Sequence, residues 1–244
     1  MKNWFNKNSG NLKDLEAILA QRVDKIDYPH STRIEENIPI YEGRSAIESD
    51  RINIMEEWVE VLLHGPGIMV IKKAYPNKEI IEKANVVFEE IMLEEKACGN
   101  VASDHFAKPG KNDRIWNVLE KHCRKDPDGF TSYYSNIVIA TVAEAWLGPG
   151  YQITAQVNRV NPGGKAQSGH RDYHLGFMTI DQAARFPAHV HSLSPALTLQ
   201  GAVAHCDMPR KSGPTLFLPF SHHLKEGYLS FQRSDFQDLF IKKH

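Results

Sequence analysis

Apolar residues recur every three or four positions through much of the first 150 residues, and this spacing is typical of amphipathic helices. Four groups follow it: Leu12, Leu15, Ile18 and Leu19; Met55, Trp58, Val59 and Leu62; Ile80, Ala84, Val87, Phe88 and Ile91; and Tyr134, Ile137, Val138, Thr141, Val142 and Ala145. Pro76 suits the start of the third helix, and Gly148-Pro149-Gly150 ends the fourth, which we predict from about Tyr133 to Trp146. Residues 1–150 are therefore predicted to be mainly helical, with a buried strand at Ile68–Ile71 and a loop-like stretch at 97–130.

From residue 151 the period of the pattern changes to two. Polar and apolar side chains alternate from Gln152 to Asn158, as expected for a strand with one polar face. Further strands are predicted at Leu197–Cys206 and Thr215–Leu218. Helices followed by strands favour an α+β fold class in a single domain, residues 1–244, whose sheet core lies within residues 151–244.

Charge and composition indicate which kinds of binding partner the protein has. The 244 residues include 29 Lys and Arg against 30 Asp and Glu, and no basic run is interleaved with aromatic residues, so no nucleic-acid partner is expected. No apolar stretch approaches the about 20 residues that cross a bilayer, and the N-terminus has no apolar signal region. Cys98, Cys123 and Cys206 are widely separated, which is typical of reduced cysteines. We predict a cytoplasmic protein that acts on a small molecule and has no membrane partner; the oligomeric state stays open.

The candidate chemistry lies in the segment Ser168-Gly-His-Arg-Asp-Tyr-His174. In an extended backbone, residues two apart project to the same side, so the His170 imidazole and the Asp172 carboxylate could reach one metal ion. A second histidine would complete the two-histidine, one-carboxylate set that holds non-haem Fe(II). His174 would share this side, and we interpret it as a residue that lines the site rather than as a ligand.

Motifs of several other enzyme classes are missing from the sequence. His170-Arg-Asp resembles the start of a kinase catalytic loop, but the loop asparagine, the DFG segment and the Gly-rich loop are absent. No GxSxG, P-loop, HExxH or GxGxxG motif occurs. The His189-Val-His191 pair lacks the glutamate of a cupin metal site and is interpreted as a pair of loop histidines. The sequence therefore lacks the motifs that usually identify hydrolases, nucleotide-binding proteins and dehydrogenases.

Three segments of the second part follow the pattern of a known family. They are Gly169-His-Arg-Asp-Tyr-His-Leu-Gly-Phe177, Leu197-Thr-Leu-Gln-Gly-Ala-Val-Ala-His-Cys-Asp207 and Ser212-Gly-Pro-Thr-Leu-Phe-Leu-Pro-Phe-Ser-His222. With them, the stretch from Gln156 to Phe240 resembles the phytanoyl-CoA dioxygenase family of Fe(II)- and 2-oxoglutarate-dependent oxygenases. The third segment is similar to the family's GPL-x-F-x-PGSH pattern, with Phe220 in place of its glycine. The resemblance implies a double-stranded β-helix, the cupin-like jelly roll, with N-terminal flanking helices.

The resemblance also implies a function. It indicates a dioxygenase that uses Fe(II), 2-oxoglutarate and O2 to hydroxylate an unidentified small molecule, with His170 and Asp172 as the catalytic metal ligands. Gln156 matches a family position that contacts 2-oxoglutarate, and Asn161 is a second candidate for binding this co-substrate. The residues expected to line the substrate pocket are Arg171, Tyr173, His174 and Phe177. The carboxylate at position 172 favours oxygen transfer over halogenation, because related halogenases lack that acid.

The family's third iron ligand and its 2-oxoglutarate-pairing arginine are expected beyond residue 244. Only two strands are predicted between Asp172 and His244, whereas eight close a jelly roll. We therefore expect a truncated chain, with a jelly roll incomplete at the C-terminus and an impaired activity. His222 and His223 are the in-chain alternatives for the third ligand, although Pro219 places them in a loop of the family pattern.

Two other functions stay open at this point. One is a non-catalytic jelly-roll remnant that binds a ligand or partner, and it predicts weak metal binding and no 2-oxoglutarate turnover. The other is a zinc-dependent protein that uses His170, Asp172 and His174 as ligands, for example in hydrolysis. The metal found in the purified protein would separate this zinc protein from an oxygenase.

Overall fold

A computed structural model of the chain describes residues 3–48, 50–99, 112–164 and 167–243. Residues 100–111 of the predicted loop, and His244, lie outside the described residues. The helices are α1 (Leu12–Leu19), α2 (Gly43–Glu48), α3 (Arg51–Leu63), α4 (Lys78–Ala97), α5 (Val118–Lys125), α6 (Pro127–Tyr134), α7 (Ile137–Leu147), α8 (Ile180–Ala183), α9 (Ala188–Leu193), α10 (Gly227–Ser230) and α11 (Ser234–Lys243), with 3-10 turns at Lys25–Asp27, Ser194–Leu197, Arg210–Ser212 and Ser221–His223. The strands are β1 (Arg33–Glu35), β2 (Ile38–Glu42), β3 (Val70–Lys72), β4 (Asn112–Ile115) and β5 (Val157–Val160).

The first three apolar stripes form helices as predicted. Asn11, Asp50 and Asn77 cap α1, α3 and α4, because each side chain accepts a hydrogen bond from a backbone N–H in the first turn. Trp58 of α3 is fully buried, and Phe88 lies on the buried face of α4. No helix in the described part of the chain has the length and apolar character needed to cross a membrane.

The fourth stripe is divided between two helices, so the prediction of one helix from Tyr133 to Trp146 was wrong. Helix α6 ends at Tyr134, and Asn136 then caps α7 by accepting a hydrogen bond from the N–H of Ile139 (3.0 Å). The Asn136 amide also donates to the carbonyl of Ala74 (2.8 Å), which fixes the break between the helices. The apolar period continues across this break, and so the periodicity alone did not reveal it.

The prediction of a loop at residues 97–130 was also wrong in part. Its described residues include β4, all of α5 and the first turn of α6. Asp126 caps α6 by accepting from the N–H of Gly129 (3.0 Å), and Pro127 follows at the first helical position. That Asp-Pro pair is a helix start signal that the polar composition of the segment obscured.

A three-stranded sheet lies beside the first helices. Of its strands, the sequence analysis predicted only the third. Strand β2 pairs antiparallel with β1 and parallel with β3, with Ile40 opposite Val70. Glu36 and Asn37 form the connecting turn with φ of 49° and 65°, which is the conformation of a tight two-residue hairpin. This turn was missed because it has no glycine.

The second sheet is the antiparallel pair of β4 and β5, with Ile115 opposite Val157. The strand predicted at Gln152–Asn158 was wrong in its bounds, since pairing begins only at Val157. The strands predicted at Leu197–Cys206 and Thr215–Leu218 are not formed; these stretches lack a paired neighbour in the described chain. A segment with high β-propensity forms a strand only when a neighbouring segment pairs with it. The described residues are thus a mixture of helices with two small sheets, and the jelly roll stays a prediction.

The site lies against two apolar clusters that are built from the second part of the chain together with Phe5 and helix α1. One cluster contains Tyr173, Tyr228 and Leu229 together with Phe5 and Ala183. The other contains Leu15, Leu224, Phe231 and Phe236. Because Tyr173 is buried in the first cluster, the segment that contains the candidate ligands is held against the protein without being part of a strand.

Candidate metal centre

His170 and Asp172 direct their side chains toward each other. The Nε2 atom of His170 lies 3.8 Å from Oδ1 of Asp172, and the two side chains are 25% and 30% exposed. This distance is too long for a hydrogen bond, but it is shorter than the sum of two metal–ligand distances of about 2.1 Å, so both atoms are within reach of one cation. The structure thus brings the two predicted ligands together, with access from solvent.

The hydrogen bonding of His170 prepares its Nε2 atom for a metal. Its Nδ1 atom lies 2.8 Å from the carbonyl oxygen of Ser168, and a carbonyl can only accept. In the neutral ring the proton is therefore on Nδ1, and Nε2 keeps the lone pair that a metal ion requires. Metal-binding histidines commonly donate their other nitrogen to a carbonyl in this way.

Asp172 is held by a residue that the sequence analysis did not identify. The side-chain amide of Gln200 donates a hydrogen bond to Oδ2 of Asp172 (2.6 Å). Since Oδ2 is used in this way, Oδ1 is the oxygen that faces His170. Gln200 lies in a stretch that we had predicted as a strand, and no local motif distinguished it from its neighbours.

Arg171 points into a different environment from the residues on either side of it. Its guanidinium donates to the carbonyls of Ser221 (2.6 Å) and Leu224 (3.1 Å) and lies over the rings of Tyr228 and Phe231. Burial lowers the pKa of Arg171 to about 10, which leaves it charged at neutral pH. These contacts hold the loop at residues 221–231 in place, and they do not support the substrate-pocket role that we predicted for Arg171.

A glycine makes room for this arrangement. A Cβ atom at Gly227 would lie 2.5 Å from the guanidinium carbon of Arg171, closer than real contacts allow. The arginine therefore packs directly on the backbone at the start of α10. This close approach explains why the chain has glycine there.

Tyr173 lies in an apolar core cluster, and its role in the substrate pocket stays a prediction. It is only 3% exposed, and its ring contacts Phe186 and Tyr228 at centroid distances of 5.5 and 4.9 Å. The backbone N–H of His174 donates to Oγ of Ser194 (3.0 Å), and its ring lies 4.7 Å from that of Tyr173. His174 is thus tied to the 3-10 turn that follows α9.

Phe177 is half exposed, as expected for a residue that lines a site. Its side chain is 50% exposed and follows the short Tyr173–Gly176 bridge, in which Gly176 has a φ of 92°. Leu175 of the same turn is 62% exposed. The turn therefore presents two apolar side chains to solvent a few residues after Asp172, and the pocket role of Phe177 remains a prediction.

The predicted co-substrate residues lie at the β4–β5 sheet. Gln156 is exposed and accepts a hydrogen bond from the Arg114 guanidinium (3.4 Å). The amide of Asn161 donates to Oδ2 of Asp113 (3.2 Å). These contacts belong to the sheet and its neighbouring helix α4, and the binding of 2-oxoglutarate by either residue stays a prediction.

Asp113 is the centre of a charged network that the sequence analysis missed. Its buried carboxylate accepts hydrogen bonds from Arg159 (2.5 Å), Lys96 (2.9 Å) and Asn161. Burial alone would raise the pKa of Asp113, but these hydrogen bonds outweigh burial and lower the pKa to about 2. Arg159 also pairs with Glu89 of α4 (2.8 Å), so the network joins the helix to the sheet.

His222 and His223 lie at the end of α3. A Cβ atom at Gly67 would be 2.3 Å from Nδ1 of His222, so this ring packs directly on the Gly67 backbone. His223 places Nε2 3.3 Å from the carbonyl of Leu63, and the two histidine rings are 4.0 Å apart. Burial, with smaller effects from His223 and Arg171, lowers the pKa of His222 to about 4, so His222 is neutral at neutral pH.

Among the residues that the structure describes, no third His, Cys, Asp or Glu side chain joins His170 and Asp172. Within residues 3–48, 50–99, 112–164 and 167–243, no group of three or more His, Cys, Asp and Glu side chains could hold a metal ion. The zinc site with His174 and the third-ligand role of His222 or His223 both stay predictions. The donor types, an imidazole and a carboxylate, fit Fe(II) at two of its three expected protein positions.

We compared the chain with known protein families, curated proteins and solved structures. The family model of phytanoyl-CoA dioxygenase matches residues 63–244 of the 244-residue chain, a range that includes His170, Asp172 and Gln200. Searches of curated proteins and of solved structures gave no match. Because the family match covers well over half of the chain, the protein belongs to the phytanoyl-CoA dioxygenase family.

Proposed function

We propose that the chain is an Fe(II)- and 2-oxoglutarate-dependent dioxygenase that hydroxylates a small molecule. The observation that carries the proposal is the 3.8 Å approach of His170 Nε2 to Asp172 Oδ1 in a chain of this family. When bound, Fe(II) with 2-oxoglutarate and O2 would supply the oxidation of a C–H bond of the substrate. The protein's part is to hold the metal, to orient the reactants and to limit access of water.

Each part of that work has a candidate residue. Ser168 keeps the proton of His170 on Nδ1, so that Nε2 can bind the metal without first losing a proton. Asp172 supplies the negative charge that Fe(II) prefers in a ligand set of this type. Phe177, which is half exposed and follows Asp172 by five residues, offers an apolar surface for the carbon skeleton of a substrate.

The direct test is turnover by the purified 244-residue chain after anaerobic loading with Fe(II). We expect that 2-oxoglutarate and O2 give succinate, and that His170→Ala and Asp172→Ala abolish both succinate formation and Fe(II) binding. His189→Ala is the matched control, because His189 is an exposed histidine outside the candidate centre. It should leave metal content and turnover unchanged.

Metal content separates the proposed oxygenase from the other functions. Equal Fe(II) binding and equal succinate formation in the wild type and in His170→Ala would overturn the proposal and favour a non-catalytic binding protein. Tightly held zinc that Fe(II) does not displace would instead favour a zinc-dependent function.

A further inference from the structure

The contact between Gln200 and Asp172 suggests a role that goes beyond holding the loop. A carboxylate can rotate, and either oxygen can bind a metal unless one of them is engaged. The Gln200 amide engages Oδ2 at 2.6 Å, while Oδ1 faces Nε2 of His170 at 3.8 Å. We propose that Gln200 is a positioning residue that orients the Asp172 carboxylate for metal binding; this inference rests on the proposed function.

Gln200 needs support from elsewhere, because its own stretch of chain has no regular structure. Residues 198–209 form neither helix nor strand, and residues 200–204 are exposed. An exposed stretch without regular structure does not by itself hold an amide within hydrogen-bonding distance of one oxygen. Its position must therefore be fixed by contacts on both sides of Gln200.

The contact on the N-terminal side comes from Trp146, near the end of α7. Its indole Nε1 lies 3.0 Å from the carbonyl of Pro195 and 3.1 Å from the carbonyl of Thr198. Both carbonyls accept from this one N–H group, so the indole fixes the backbone two residues before Gln200. The helical part of the chain thus determines where this segment begins.

The contact on the C-terminal side is His205, which is anchored to two helices. Its Nδ1 lies 2.7 Å from Oδ1 of Asn85 in α4, and its Nε2 lies 2.7 Å from the hydroxyl of Tyr133 in α6. The amide of Asn85 also donates to the backbone carbonyl of His205 (3.3 Å). An amide oxygen only accepts, so Nδ1 donates and Nε2 accepts from the tyrosine, which is the neutral form that burial of His205 favours.

These two anchors make Gln200 a connection between the helical part and the metal ligand. The exposed Gln200–Asp172 hydrogen bond contributes little to folding, because in the unfolded chain water forms comparable hydrogen bonds with both side chains. Its effect on a metal is larger, because removing a group that orients a ligand weakens metal binding about 10- to 100-fold. A positioning role therefore predicts a large loss of metal affinity with an almost unchanged melting temperature.

The test measures the affinity of the metal-free full chain for Co²⁺ by calorimetry, together with the visible absorption of the bound Co²⁺. Gln200→Met keeps the length of the side chain and removes the donor, and we expect about 10-fold weaker binding and an altered spectrum. Gln152→Met is the matched control, because Gln152 is also an exposed glutamine, and it should bind as the wild type does. Trp146→Phe keeps an aromatic ring without the N–H donor, and a smaller loss is expected.

Comparison with Asp172→Ala makes the test specific. Asp172→Ala removes the ligand itself and should abolish Co²⁺ binding, whereas Gln200→Met removes only the group that orients the carboxylate and should leave weaker but measurable binding. Wild-type affinity in Gln200→Met, in a protein that loses Co²⁺ on His170→Ala substitution, would overturn this inference and leave the metal centre intact. A wild-type chain that binds Co²⁺ no better than His170→Ala would overturn the proposed function, and this inference with it.

Discussion

The side-chain amide of Gln237 forms hydrogen bonds with both sides of Gly169. Its Oε1 accepts from the Gly169 N–H (2.9 Å), and its Nε2 donates to the Gly169 carbonyl (2.6 Å). Nε2 also donates to the carbonyl of Phe231. Gly169 directly precedes His170, so helix α11 near the end of the chain holds the first candidate ligand in place.

Replacing Gln237 should therefore affect both the fold and the metal centre. In Gln237→Ala, three partly buried hydrogen bonds are lost, and we expect the free energy of unfolding to fall by about 2 kcal/mol. Co²⁺ affinity should fall as well, because His170 loses its support. Urea denaturation and calorimetry measure the two effects; Gln232→Ala, at an exposed glutamine nearby, should change neither. Unchanged metal affinity in a destabilised Gln237→Ala would limit Gln237 to a structural role.

Phe220 has a backbone conformation that favours glycine, the residue that the family pattern has at this position. Its φ is 67°, its side chain is only 4% exposed, and its N–H donates to the carbonyl of Pro66 (2.8 Å). Relief of the left-handed strain would stabilise Phe220→Gly by about 1–2 kcal/mol. Loss of a buried phenyl ring costs about 3–5 kcal/mol.

Burial should therefore outweigh strain, and Phe220→Gly should lower the free energy of unfolding by about 2 kcal/mol. Phe220→Leu retains most of the apolar volume and also the strain, and we expect a smaller loss. Thermal and urea denaturation of both variants provide the measurement. A Phe220→Gly protein that melts above the wild type would show that strain is the larger effect.

Asp113 should make stability depend on pH in the acid range. Its pKa is lowered from 3.8 to about 2 by hydrogen bonds from Arg159, Lys96 and Asn161, which outweigh the effect of burial. A lowered pKa in the folded state means that the stabilisation is present above pH 4 and is lost as the pH falls toward 2. The size of the effect is about 2 kcal/mol.

The difference in unfolding free energy between the wild type and Asp113→Asn should therefore shrink between pH 5 and pH 2. Asp207→Asn, at an exposed aspartate, should follow the wild type over the same range. Urea denaturation at each pH gives both curves. A constant difference between the wild type and Asp113→Asn would contradict the lowered pKa of Asp113.

His222 should add a second pH dependence nearer to neutrality. Burial, with His223 and Arg171, lowers its pKa from 6.5 to about 4. The unfolded chain then takes up the proton first as the pH falls, so stability that is present above pH 6.5 is lost toward pH 4, by about 3 kcal/mol at most. His222→Gln removes the titrating group.

Over that range, the free energy of unfolding of His222→Gln should therefore fall less than that of the wild type. His189→Gln provides the control for a change at an exposed histidine. Chemical denaturation between pH 7 and pH 4 tests the difference. Parallel curves for the wild type and His222→Gln would exclude His222 as the source of the pH dependence.

The helices could be predicted because their information is local. The stripes that became α1, α3 and α4 combine an apolar period with a capping residue directly before the first turn, and both signals lie within a few residues. The break at Asn136 was missed because a cap inside a continuous apolar period has the same pattern as an uninterrupted helix. The β1–β2 hairpin was missed because Glu36-Asn37 lacks the glycine of the usual turn signal.

In the candidate site too, the features that depend on local sequence could be predicted, and the features that depend on distant segments could not. His170 and Asp172 could be predicted because residues two apart share a side of an extended backbone, and that relation needs no tertiary contact. Tyr173 was assigned to the pocket by its position beside the ligands, whereas its burial against Tyr228 depends on a segment more than 50 residues later. Gln200 contacts Asp172 from 28 residues away and Gln237 contacts Gly169 from 68 residues away, and no local pattern distinguishes them from other glutamines.

The sequence by itself determined that an imidazole and a carboxylate stand two residues apart, and it determined most of the helices that precede them, because both signals lie within a few residues. The tertiary structure alone decided which oxygen of Asp172 faces His170, which way Arg171 points and which residues support the pair. Those choices come from hydrogen bonds and packing between segments that are far apart in the chain, whose free energies exist only once the backbone has brought the partners together.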